Sequence, residues 1–392
     1  MKIAVLTSGR LPVPATLGGA VETLVDMYLD YNERHGCHAM TVFGTKPRQA
    51  ALPHQRHNRY EFVDTHSPWF RLEAKVRSWL HPEGYYDRWS ELFLHKCLKR
   101  LKRTHYDCII LENRPGFALS LPQELSAHVI VHLGNDYLNT TTLLASAIKA
   151  RCKGVIACSN YIRRRAEAVP APPLSVPCLP VYNGIDVARF AQAQPASRAS
   201  FGFTVSDFVV VYSGRLTAEK GILQLIKAMH MLNDMPEVRL LVIGASFYGS
   251  DRVQSPFLTE LRRAALPLGE KIQFTGYVDY ERIPSYLKLA DVAVVPSTWE
   301  EPFGLTVAEA MAAGRALVAT RSGAIPELCD GAALLVNRDN VAEELAKAIR
   351  RLRDHPSEAN SLAQEASKRS HRFDKDIFSR EFFNAIETIC QT

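Results

Sequence analysis

The sequence alternates between short runs of consecutive apolar residues and longer segments in which apolar residues recur every three or four positions. Continuous apolar runs predict strands that are buried on both faces, as in a parallel sheet. The longer segments predict amphipathic helices, and the first of them, AVETLVDMYLDYNERHG, ends at Gly36, a residue type that commonly follows a helix. The alternation therefore predicts an α/β fold with helices on both faces of each sheet.

The same pattern runs through both halves of the chain. In the second half, the predicted helices begin near residues 219, 256, 281 and 305. The predicted strands cover residues 2–7, 39–44, 107–112, 128–133, 154–159 and 178–183 in the first half, and 208–214, 238–244, 271–276, 291–297, 316–320 and 333–336 in the second.

A break between the two halves indicates a change of domain. A Pro-rich stretch at 169–177 and an Ala/Gln/Ser-rich stretch at 191–200 flank the segment VYNGID. A chain of 392 residues also exceeds one ordinary hydrophobic core. We therefore predict two doubly wound domains, 1–180 and 181–375. Because open α/β sheets bind ligands at the carboxyl ends of their strands, the cleft between two such domains is the expected site.

Two carboxylates flank the predicted turn from a strand into a helix. Glu301 and Glu309 lie on either side of Gly304, which lets the backbone approach a ligand closely. The first amides of that helix can hold a phosphate, and the carboxylates can accept hydrogen bonds from paired hydroxyls. If the segment is fully helical, the glutamates are about 12 Å apart, which suits a sugar and a nucleotide ribose. Alternatively, Glu301 complements the helix dipole, as we expect for Glu300, and Glu309 is a surface residue.

Two cations follow the first strand of the second half. In YSGRLTAEKG, Arg215 and Lys220 stand at the carboxyl end of that strand and before a helix. They suit a diphosphate, because Arg makes a two-pronged contact and Lys acts as a point charge. The alternative is ordinary ion pairing, for instance with Glu219.

With these motifs, the chain resembles retaining glycosyltransferases of family 4, which have the two-domain glycosyltransferase B (GT-B) architecture. The resemblance covers nearly the whole chain and is carried by Glu-x7-Glu within EPFGLTVAEAMAAGRALVATRSGAIPEL, by GRLTAEKG, by VYNGID and by GRLPVPATLGGAVETLV. It implies two Rossmann-like domains that face each other across a cleft. Residues 1–180 would bind the acceptor, 181–375 would bind the nucleotide sugar, and the C-terminal helix within 376–392 would pack back on the first domain.

The resemblance also implies roles for individual residues. Glu301 would bind hydroxyls of the transferred sugar, and Glu309 would bind the nucleotide ribose. Arg215 and Lys220 would neutralise the diphosphate. Further positions implied at the donor are Gly18, Gly19, Gly276, Tyr277, Phe303, Gly304 and Leu305.

On the acceptor side, the segment VIVHLGNDYL contains the relevant residues. His132 matches the family histidine that ends a strand and faces the donor sugar, and it joins Glu301, Arg215 and Lys220 as a catalytic candidate. Many relatives of this subgroup read His-x-His-Asn-Asp here, whereas this chain has Gly134 and retains Asp136. Three residues that end the preceding strand either line the acceptor side or form a structural ion pair: Glu112, Asn113 and Arg114.

The implied reaction requires neither a metal nor a cofactor. The sugar is transferred on one face, and the departing phosphate oxygen accepts the proton of the acceptor. No Asp-x-Asp occurs near Arg215 and Lys220, whose charges would replace those of a metal. Two alternatives remain at this stage: a nucleotide-sugar epimerase with the same fold, and a non-catalytic binding or scaffold protein.

Composition adds expectations about location. With 47% hydrophobic and 22% charged residues, the chain has the composition of a soluble globular protein, and its first apolar run is too short for a signal peptide core. Eight scattered cysteines without a Cys-x-x-Cys pair favour a reducing, cytoplasmic compartment.

The net charge of +6 is unevenly distributed. Residues 70–103 mix nine Lys and Arg with Trp and Tyr, against four acids. Such a stretch suits an anionic membrane surface or an acidic ligand, or it is a solvated helix face with its aromatic residues in the core. No nucleic-acid module appears. Together with the resemblance, we expect a lipid-linked acceptor at the inner face of the membrane.

Overall fold

The computed structural model describes residues 1–47, 55–80, 85–171, 175–245 and 256–391. These form two compact units, one of Met1–Gly184 with Lys375–Thr392 and the other of Ile185–Asp374. These boundaries, 184/185 and 374/375, differ by a few residues from 180/181 and 375/376, which the sequence predicts.

The first unit is built on a parallel sheet of seven strands in the order β3-β2-β1-β4-β5-β6-β7. The order reverses direction between β1 and β4, as in doubly wound folds. The elements from the amino end are β1 (Lys2–Leu6), α1 (Ala20–His35), β2 (Ala39–Thr45), β3 (Asn58–Val63), α2 (Pro68–Leu80), α3 (Arg88–Leu101), β4 (Cys108–Glu112), β5 (Val129–Leu133), α4 (Ala145–Lys149), β6 (Gly154–Ala157), α5 (Asn160–Glu167) and β7 (Cys178–Pro180).

The second unit has a parallel sheet of six strands in the order β10-β9-β8-β11-β12-β13. Its central strands β8 and β11 are neighbours, so their carboxyl ends lie side by side. The elements are α6 (Val187–Gln192), β8 (Phe208–Ser213), α7 (Ile222–Met231), β9 (Val238–Ile243), α8 (Pro256–Ala265), β10 (Ile272–Phe274), α9 (Ile283–Leu289), β11 (Val292–Val295), α10 (Leu305–Ala312), β12 (Ala316–Thr320), α11 (Ile325–Cys329), β13 (Leu334–Val336), α12 (Val341–Asp354) and α13 (Pro356–Ser370).

The last helix, α14 (Lys375–Gln391), belongs to the first unit. Its apolar face, which includes Phe378, Phe382 and Ile386, is buried in the same core as β1 and α1. The ring of Phe382 stacks on that of Tyr28 in α1, with centroids 4.5 Å apart. The helix is therefore a structural part of the first unit, although the second unit separates it from the first in sequence.

Each strand predicted from the apolar runs is present, with ends shifted by a few residues. One strand, β3, was missed. It lies at the edge of the sheet and exposes Arg59 and Glu61, so its sequence NRYEFV lacks the continuous apolar run that marks the central strands. The helix predicted from about residue 219 begins at Ile222, because Gly221 adopts a left-handed conformation with φ of 72° after a short 3-10 turn. Among the described residues, none of the helices has the length and apolar content needed to cross a membrane.

Candidate functional site

A lysine and a glutamate from distant parts of the sequence meet at the carboxyl ends of β8 and β11. The Nζ atom of Lys220 donates a hydrogen bond to Oε1 of Glu301 at 2.7 Å. The hydroxyl of Ser297, just after β11, donates to the same oxygen. Glu301 is buried, whereas the side chain of Lys220 is 21% exposed. The ammonium group of Lys220 is therefore partly open to solvent, whereas the carboxylate of Glu301 is buried and held by the hydroxyl of Ser297.

Tight backbone packing fixes this pair. A Cβ atom on Gly221 would lie 1.8 Å from the carbonyl oxygen of Pro296, so the turn that follows Lys220 packs directly on the end of β11. The backbone carbonyl of Glu301 accepts a hydrogen bond from the amide of Ala324 at 2.8 Å. Both charged residues are thus positioned by loops that are anchored to the sheet.

An aromatic ring completes the surroundings of the ammonium group. The Nζ atom of Lys220 lies 5.0 Å from the centre of the Trp299 ring, a cation–π distance. The indole Nε1 of Trp299 is buried and has no hydrogen-bond partner among the described residues. Buried donors are ordinarily hydrogen-bonded, so the indole N–H of Trp299 is a donor that a ligand could use.

Helix α10 begins directly after this loop. Gly304 is its N-cap, with φ of 103° and ψ of 67°, and no side chain caps the helix. Phe303 is buried against Phe373, with ring centroids 5.7 Å apart. The first amides of a helix have no partner within the helix, so they can hold an anion. Because the helix starts at Leu305, the segment from Glu301 to Glu309 is not fully helical, and the spacing of about 12 Å derived on that assumption does not apply.

Glu309 lies on the buried face of α10, so the alternative that it is a surface residue is wrong. Burial raises the pKa of its carboxyl to about 7, although a hydrogen bond from Tyr280 and the charge of Arg189 oppose the rise. The guanidinium of Arg189 lies 5.3 Å from the centre of the Tyr280 ring, which is 40% exposed. Glu309 is therefore a carboxyl that changes its charge near neutral pH and is covered by an exposed tyrosine.

Arg215 occupies a different environment from Lys220. Its side chain is 42% exposed and its Nη2 atom lies 3.8 Å from Oε1 of Glu219. Burial raises the pKa of Glu219, but a hydrogen bond from Thr217 and the charges of Arg215 and Lys220 outweigh this and lower it. The ion pair with Glu219 that sequence analysis left as an alternative is thus present for Arg215, whereas Lys220 pairs with Glu301.

Gly276 and Tyr277 follow β10, at the edge of the same sheet. The carbonyl of Gly276 accepts a hydrogen bond from the amide of Gly244, which follows β9, at 3.1 Å. Tyr277 is 45% exposed. These two residues therefore follow β10, and not β8 or β11, which carry the Lys220–Glu301 pair, and their role at the donor stays a prediction.

In the first unit, the corresponding strand ends carry a buried glutamate and histidine. Glu112 ends β4 and is paired in register with His132 of β5. The Nδ1 atom of His132 lies 2.9 Å from Oε2 of Glu112, and the hydroxyl of Tyr28 donates to Oε1 at 2.8 Å. The Nε2 atom of His132 is buried without a hydrogen-bond partner among the described residues. Glu112 therefore orients the imidazole and leaves its second nitrogen available.

A second buried acid, which was not predicted from the sequence, lies in the same unit. Glu22, in the first turn of α1, is buried, and burial raises the pKa of its carboxyl, with the charge of Glu112 acting in the same direction. A Cβ atom on Gly19 would lie 2.4 Å from Oε2 of Glu22, so this carboxyl packs closely on the backbone of Gly19, whose φ of 110° itself favours glycine. Gly18 has no heavy atom near the place of its absent Cβ. The sequence signal that was overlooked is an acid three residues after the Gly18-Gly19 pair, in the first turn of the predicted helix.

The other acceptor-side candidates make separate contacts. The guanidinium of Arg114 lies 5.5 Å from the centre of the Tyr86 ring, and its Nε atom is buried without a hydrogen-bond partner among the described residues. Oδ2 of Asp136 accepts a hydrogen bond from Nε of Arg165 at 2.5 Å. The sequence had suggested no partner for Asp136. It is held by an ion pair to α5.

Gly134 and Asn113 are joined by a hydrogen bond. The amide of Gly134 donates to Oδ1 of Asn113 at 3.2 Å. A Cβ atom at Gly134 would meet nothing closer than Val21, at 3.6 Å, which is ordinary contact. The backbone at this position therefore has room for a Cβ atom.

In the described part of the chain, no three His, Cys, Asp or Glu side chains are arranged to hold a metal ion. The absence of a metal and a cofactor from the reaction stays a prediction.

The architecture defines the class of protein. The chain is similar to the crystal structure of Anabaena Alr3699/HepE in complex with UDP, with a TM-score of 0.72 and 22% sequence identity over 99% of this chain and 100% of that one. Together with the two parallel sheets, this similarity shows the GT-B fold and confirms the predicted fold class of two Rossmann-like α/β domains.

Sequence comparisons narrow the class further. Residues 193–369 match the family model for glycosyl transferases group 1. The putative glycosyltransferase YtcC of Bacillus subtilis is 24% identical over 384 residues, which cover 94% of this chain and 87% of that protein. The phosphatidyl-myo-inositol mannosyltransferase of Mycolicibacterium smegmatis is 33% identical over 241 residues, which cover 60% of this chain and 57% of that protein. These similarities support a glycosyltransferase with the GT-B fold.

Proposed function

We propose that the chain is a retaining glycosyltransferase of family 4 that transfers a sugar, with a hexose as the first choice, from a nucleotide diphosphate sugar to an acceptor hydroxyl. Its product would enter a cell-surface polysaccharide or glycolipid. The observation that carries the proposal is the buried Glu301 paired with Lys220 next to the uncapped start of α10. The match of residues 193–369 to glycosyl transferases group 1 supports it.

On the donor side, each group has a task that fits its chemistry. The ammonium of Lys220 has three donors, so it can bind a phosphate oxygen while it still contacts Glu301. Glu301, an acceptor only, would bind sugar hydroxyls, and Glu309 would bind the ribose. When the bond to the diphosphate lengthens, negative charge collects on the leaving oxygen. Lys220, Arg215 and the first amides of α10 would stabilise that charge without rearrangement.

On the acceptor side, His132 would contact the transferred sugar through Nε2. Its orientation is fixed by the hydrogen bond between Nδ1 and Glu112. We assign the leaving phosphate oxygen as the base that takes the proton of the acceptor hydroxyl, so that the sugar keeps its anomeric configuration. The reaction then needs no separate protein base, and the cations take the place of a metal.

The test is a transfer assay with a panel of UDP- and GDP-sugars, each incubated with lipid extracts and with simple sugars as acceptors. We expect transfer from one donor class, unaffected by EDTA, and a product whose anomeric configuration, read by NMR coupling constants, equals that of the donor. Inversion of configuration, or loss of activity with EDTA, would contradict the mechanism. Conversion of a donor into its epimer without an acceptor would identify an epimerase instead.

The exposed residues of helix α2 indicate where the acceptor is found. Its exposed side includes Trp69, Leu72 and Val76, which are 79%, 53% and 50% exposed. Arg71 and Lys75 are exposed on the same helix. Large apolar side chains next to cations fit the interface of an anionic membrane. We propose that α2 holds the chain at the inner face of the membrane, where a lipid-linked sugar is the acceptor. The M. smegmatis relative, named for its transfer to phosphatidyl-myo-inositol, supports such an acceptor.

A vesicle assay tests the membrane contact separately from the chemistry. Replacing Arg71, Lys75 and Arg77 by Glu should abolish co-sedimentation with phosphatidylglycerol vesicles, whereas the wild type should bind and be released by high salt. The matched control makes the same charge change at the exposed residues Arg262, Arg263 and Lys347 of the second unit. Equal binding by the two variants, or no binding by the wild type, would contradict the proposal and leave the transfer reaction untouched.

A further inference from the structure

The loop that carries Glu301 runs beside the loop that follows β12. Every second carbonyl of residues 297–301 accepts a hydrogen bond from every second residue of 320–324. In order along both loops, the donors are the hydroxyl of Thr320 at 2.6 Å, the hydroxyl of Ser322, and the amide of Ala324 at 2.8 Å. The two loops therefore prolong the parallel pairing of β11 and β12 beyond the ends of these strands.

Gly323 brings the two loops into direct contact. A Cβ atom on Gly323 would lie 2.2 Å from the carbonyl oxygen of Glu301 and 2.5 Å from its amide nitrogen, at a φ of 56°. Both the space and the backbone conformation therefore require glycine. The amide of Gly323 also donates to Oε2 of Glu300 at 2.6 Å, which adds a side-chain bond between the same loops.

Arg338, two residues after β13, contacts both loops with one nitrogen atom. Its Nη1 lies 2.8 Å from Oε1 of Glu300, 3.4 Å from the hydroxyl oxygen of Ser322 and 3.5 Å from the carbonyl oxygen of Thr298. Both oxygens of Glu300 are thus used between the loops, whereas the sequence predicted that Glu300 complements the dipole of α10. An isolated exposed ion pair stabilises little, but this one belongs to a network.

Arg338 also determines the direction in which the hydroxyl of Ser322 donates. A guanidinium has donors only, so Ser322 accepts from Arg338 and gives its own proton to the carbonyl of Trp299. The ring of Trp299 lies against the ammonium of Lys220, and Glu301 pairs with the same ammonium. Arg338 is therefore connected to both residues that contact Lys220.

We propose that Arg338 and Glu300 are positioning residues, which hold the 298–301 loop so that Glu301 presents its carboxylate in one fixed direction. They act through Trp299 and Glu301. Fixed placement matters, because a site that is loose by about 1 Å loses much of its binding and catalytic power. The inference rests on the proposed function, which assigns the hydroxyls of the transferred sugar to Glu301, but the rigidity of the loop can be measured without any substrate.

Hydrogen exchange of the ligand-free, full-length chain tests that rigidity. Three amides at the loops are hydrogen-bonded and report on their opening: those of Thr298, Gly323 and Ala324. In Arg338→Ala, short overlapping peptides should show that these amides exchange about tenfold faster than in the wild type, as for the loss of one hydrogen bond to a charged group.

The matched control is Arg350→Ala, which removes an arginine that is 41% exposed and paired with Asp234 elsewhere in the same unit. It should leave the exchange of the three amides unchanged. Glu300→Gln removes the other member of the ion pair and should speed up their exchange in the same way as Arg338→Ala. Wild-type exchange rates in both Arg338→Ala and Glu300→Gln would overturn the proposal.

Ligand affinity tests the consequence for Glu301. Calorimetry compares UDP with UDP-glucose, and GDP with GDP-mannose. In Arg338→Ala, the nucleotide sugar that the wild type binds should lose about tenfold in affinity, and its nucleoside diphosphate much less, because the sugar is assigned to Glu301. Equal losses for both ligands would overturn the positioning role. A wild type that binds none of the four ligands would contradict the proposed function, whereas hydrogen exchange would still decide the rigidity of the loop.

Glu300→Gln separates positioning from a direct effect of charge. The variant makes the surroundings of the proposed diphosphate site more positive, so charge alone would strengthen the binding of a nucleotide sugar. A loss of loop rigidity predicts the opposite sign, a weaker nucleotide sugar. Tighter binding by Glu300→Gln would therefore overturn the proposal.

Discussion

The carboxyl ends of the two sheets carry opposite kinds of chemistry. In the second unit, the partly exposed cation of Lys220 pairs with the buried carboxylate of Glu301 beside an uncapped helix. In the first unit, Glu112, His132 and Tyr28 form a fully buried chain of hydrogen bonds that ends on an unpaired ring nitrogen. The match to glycosyl transferases group 1, residues 193–369, falls within the second unit.

This difference suggests that the two units have different tasks in the proposed reaction. A pair of charges next to the first amides of a helix suits an anionic ligand, such as the proposed diphosphate. A buried and oriented imidazole with one free nitrogen suits a single, closely defined contact. We therefore expect the loss of Lys220 to lower turnover with every donor, and changes around Glu112 and His132 to alter stability and substrate choice.

The largest effect should come from the cation of the second unit. Lys220→Ala removes the charge proposed to stabilise the leaving oxygen, and we expect turnover to fall by about 10²–10³-fold. Arg215→Ala should also lower kcat, but less, since its side chain is 42% exposed and lies near Glu219. Steady-state kinetics with saturating donor measures both changes.

The matched control for Lys220→Ala is Lys347→Ala, which removes a lysine that is 72% exposed and paired with Glu344 in the same unit. It should keep the turnover of the wild type. Circular dichroism must show that each variant is folded. If folded Lys220→Ala and Arg215→Ala both turn over at nearly the wild-type rate, the assigned diphosphate site is wrong.

The next effect is on stability as a function of pH. The pKa of Glu309 is raised from its ordinary value of 4.5 to about 7, so the folded chain keeps a proton that the unfolded chain releases. Glu309 therefore stabilises the second unit fully below pH 4.5, and this contribution disappears as the pH rises through 7. Its size is on the order of 3 kcal/mol. Urea unfolding between pH 4 and 8 measures it.

The variant Glu309→Gln cannot titrate, so its stability should lose the part of the pH dependence that Glu309 contributes. Glu344→Gln, a change at a half-exposed glutamate of the same unit, should follow the wild type. Parallel pH curves for the wild type and Glu309→Gln would show that Glu309 titrates at its ordinary pKa. The pKa of Asp26 in the first unit is also raised by burial, to about 6, and a separate transition of that unit should reflect it.

The sequence contained most of the fold, because central parallel strands are apolar on both faces and are therefore visible as runs. It also placed Lys220 and Glu301 at strand ends. It did not show that they pair, since they are separated by 81 residues and meet only because β8 and β11 are neighbours. The order of strands in a sheet cannot be read from apolar runs alone.

The burial of two glutamates, Glu22 and Glu309, could not be predicted from the sequence. Glu22 follows Gly-Gly at the start of a helix, where an acid is ordinarily an exposed complement to the helix dipole. It is buried, and its pKa is raised by that burial and by the charge of Glu112, a residue 90 positions away at the end of β4. Glu309 was left open as a surface residue for the same reason: one face of α10 is covered by elements distant in sequence.

A smaller effect is expected from the first unit. Tyr28→Phe deletes the hydroxyl that donates to Oε1 of Glu112 at 2.8 Å and leaves a buried carboxylate with one fewer partner. The free energy of unfolding should fall by about 1.5–3 kcal/mol, the usual range for a hydrogen bond to a charged group. Tyr31→Phe, on the same helix but only partly buried, is the control and should change stability little. Equal losses in both variants would mean that Glu112 does not need Tyr28.

The smallest effect on stability should come from Gly134 in the first unit, and a glycine of the second unit, Gly221, provides the contrast. A methyl group on Gly134 would lie 3.6 Å from Val21, so Gly134→Ala should change the free energy of unfolding by no more than about 0.5 kcal/mol. Gly221→Ala, its counterpart in the second unit, would place the methyl group 1.8 Å from the carbonyl oxygen of Pro296 at a φ of 72°. That variant should be strongly destabilised, because the Lys220 turn must move off the end of β11. Thermal unfolding of both variants measures the two changes in stability.

A large loss of stability in Gly134→Ala would mean that glycine is required at this position for folding. The absence of the subgroup histidine would then carry no information about the acceptor.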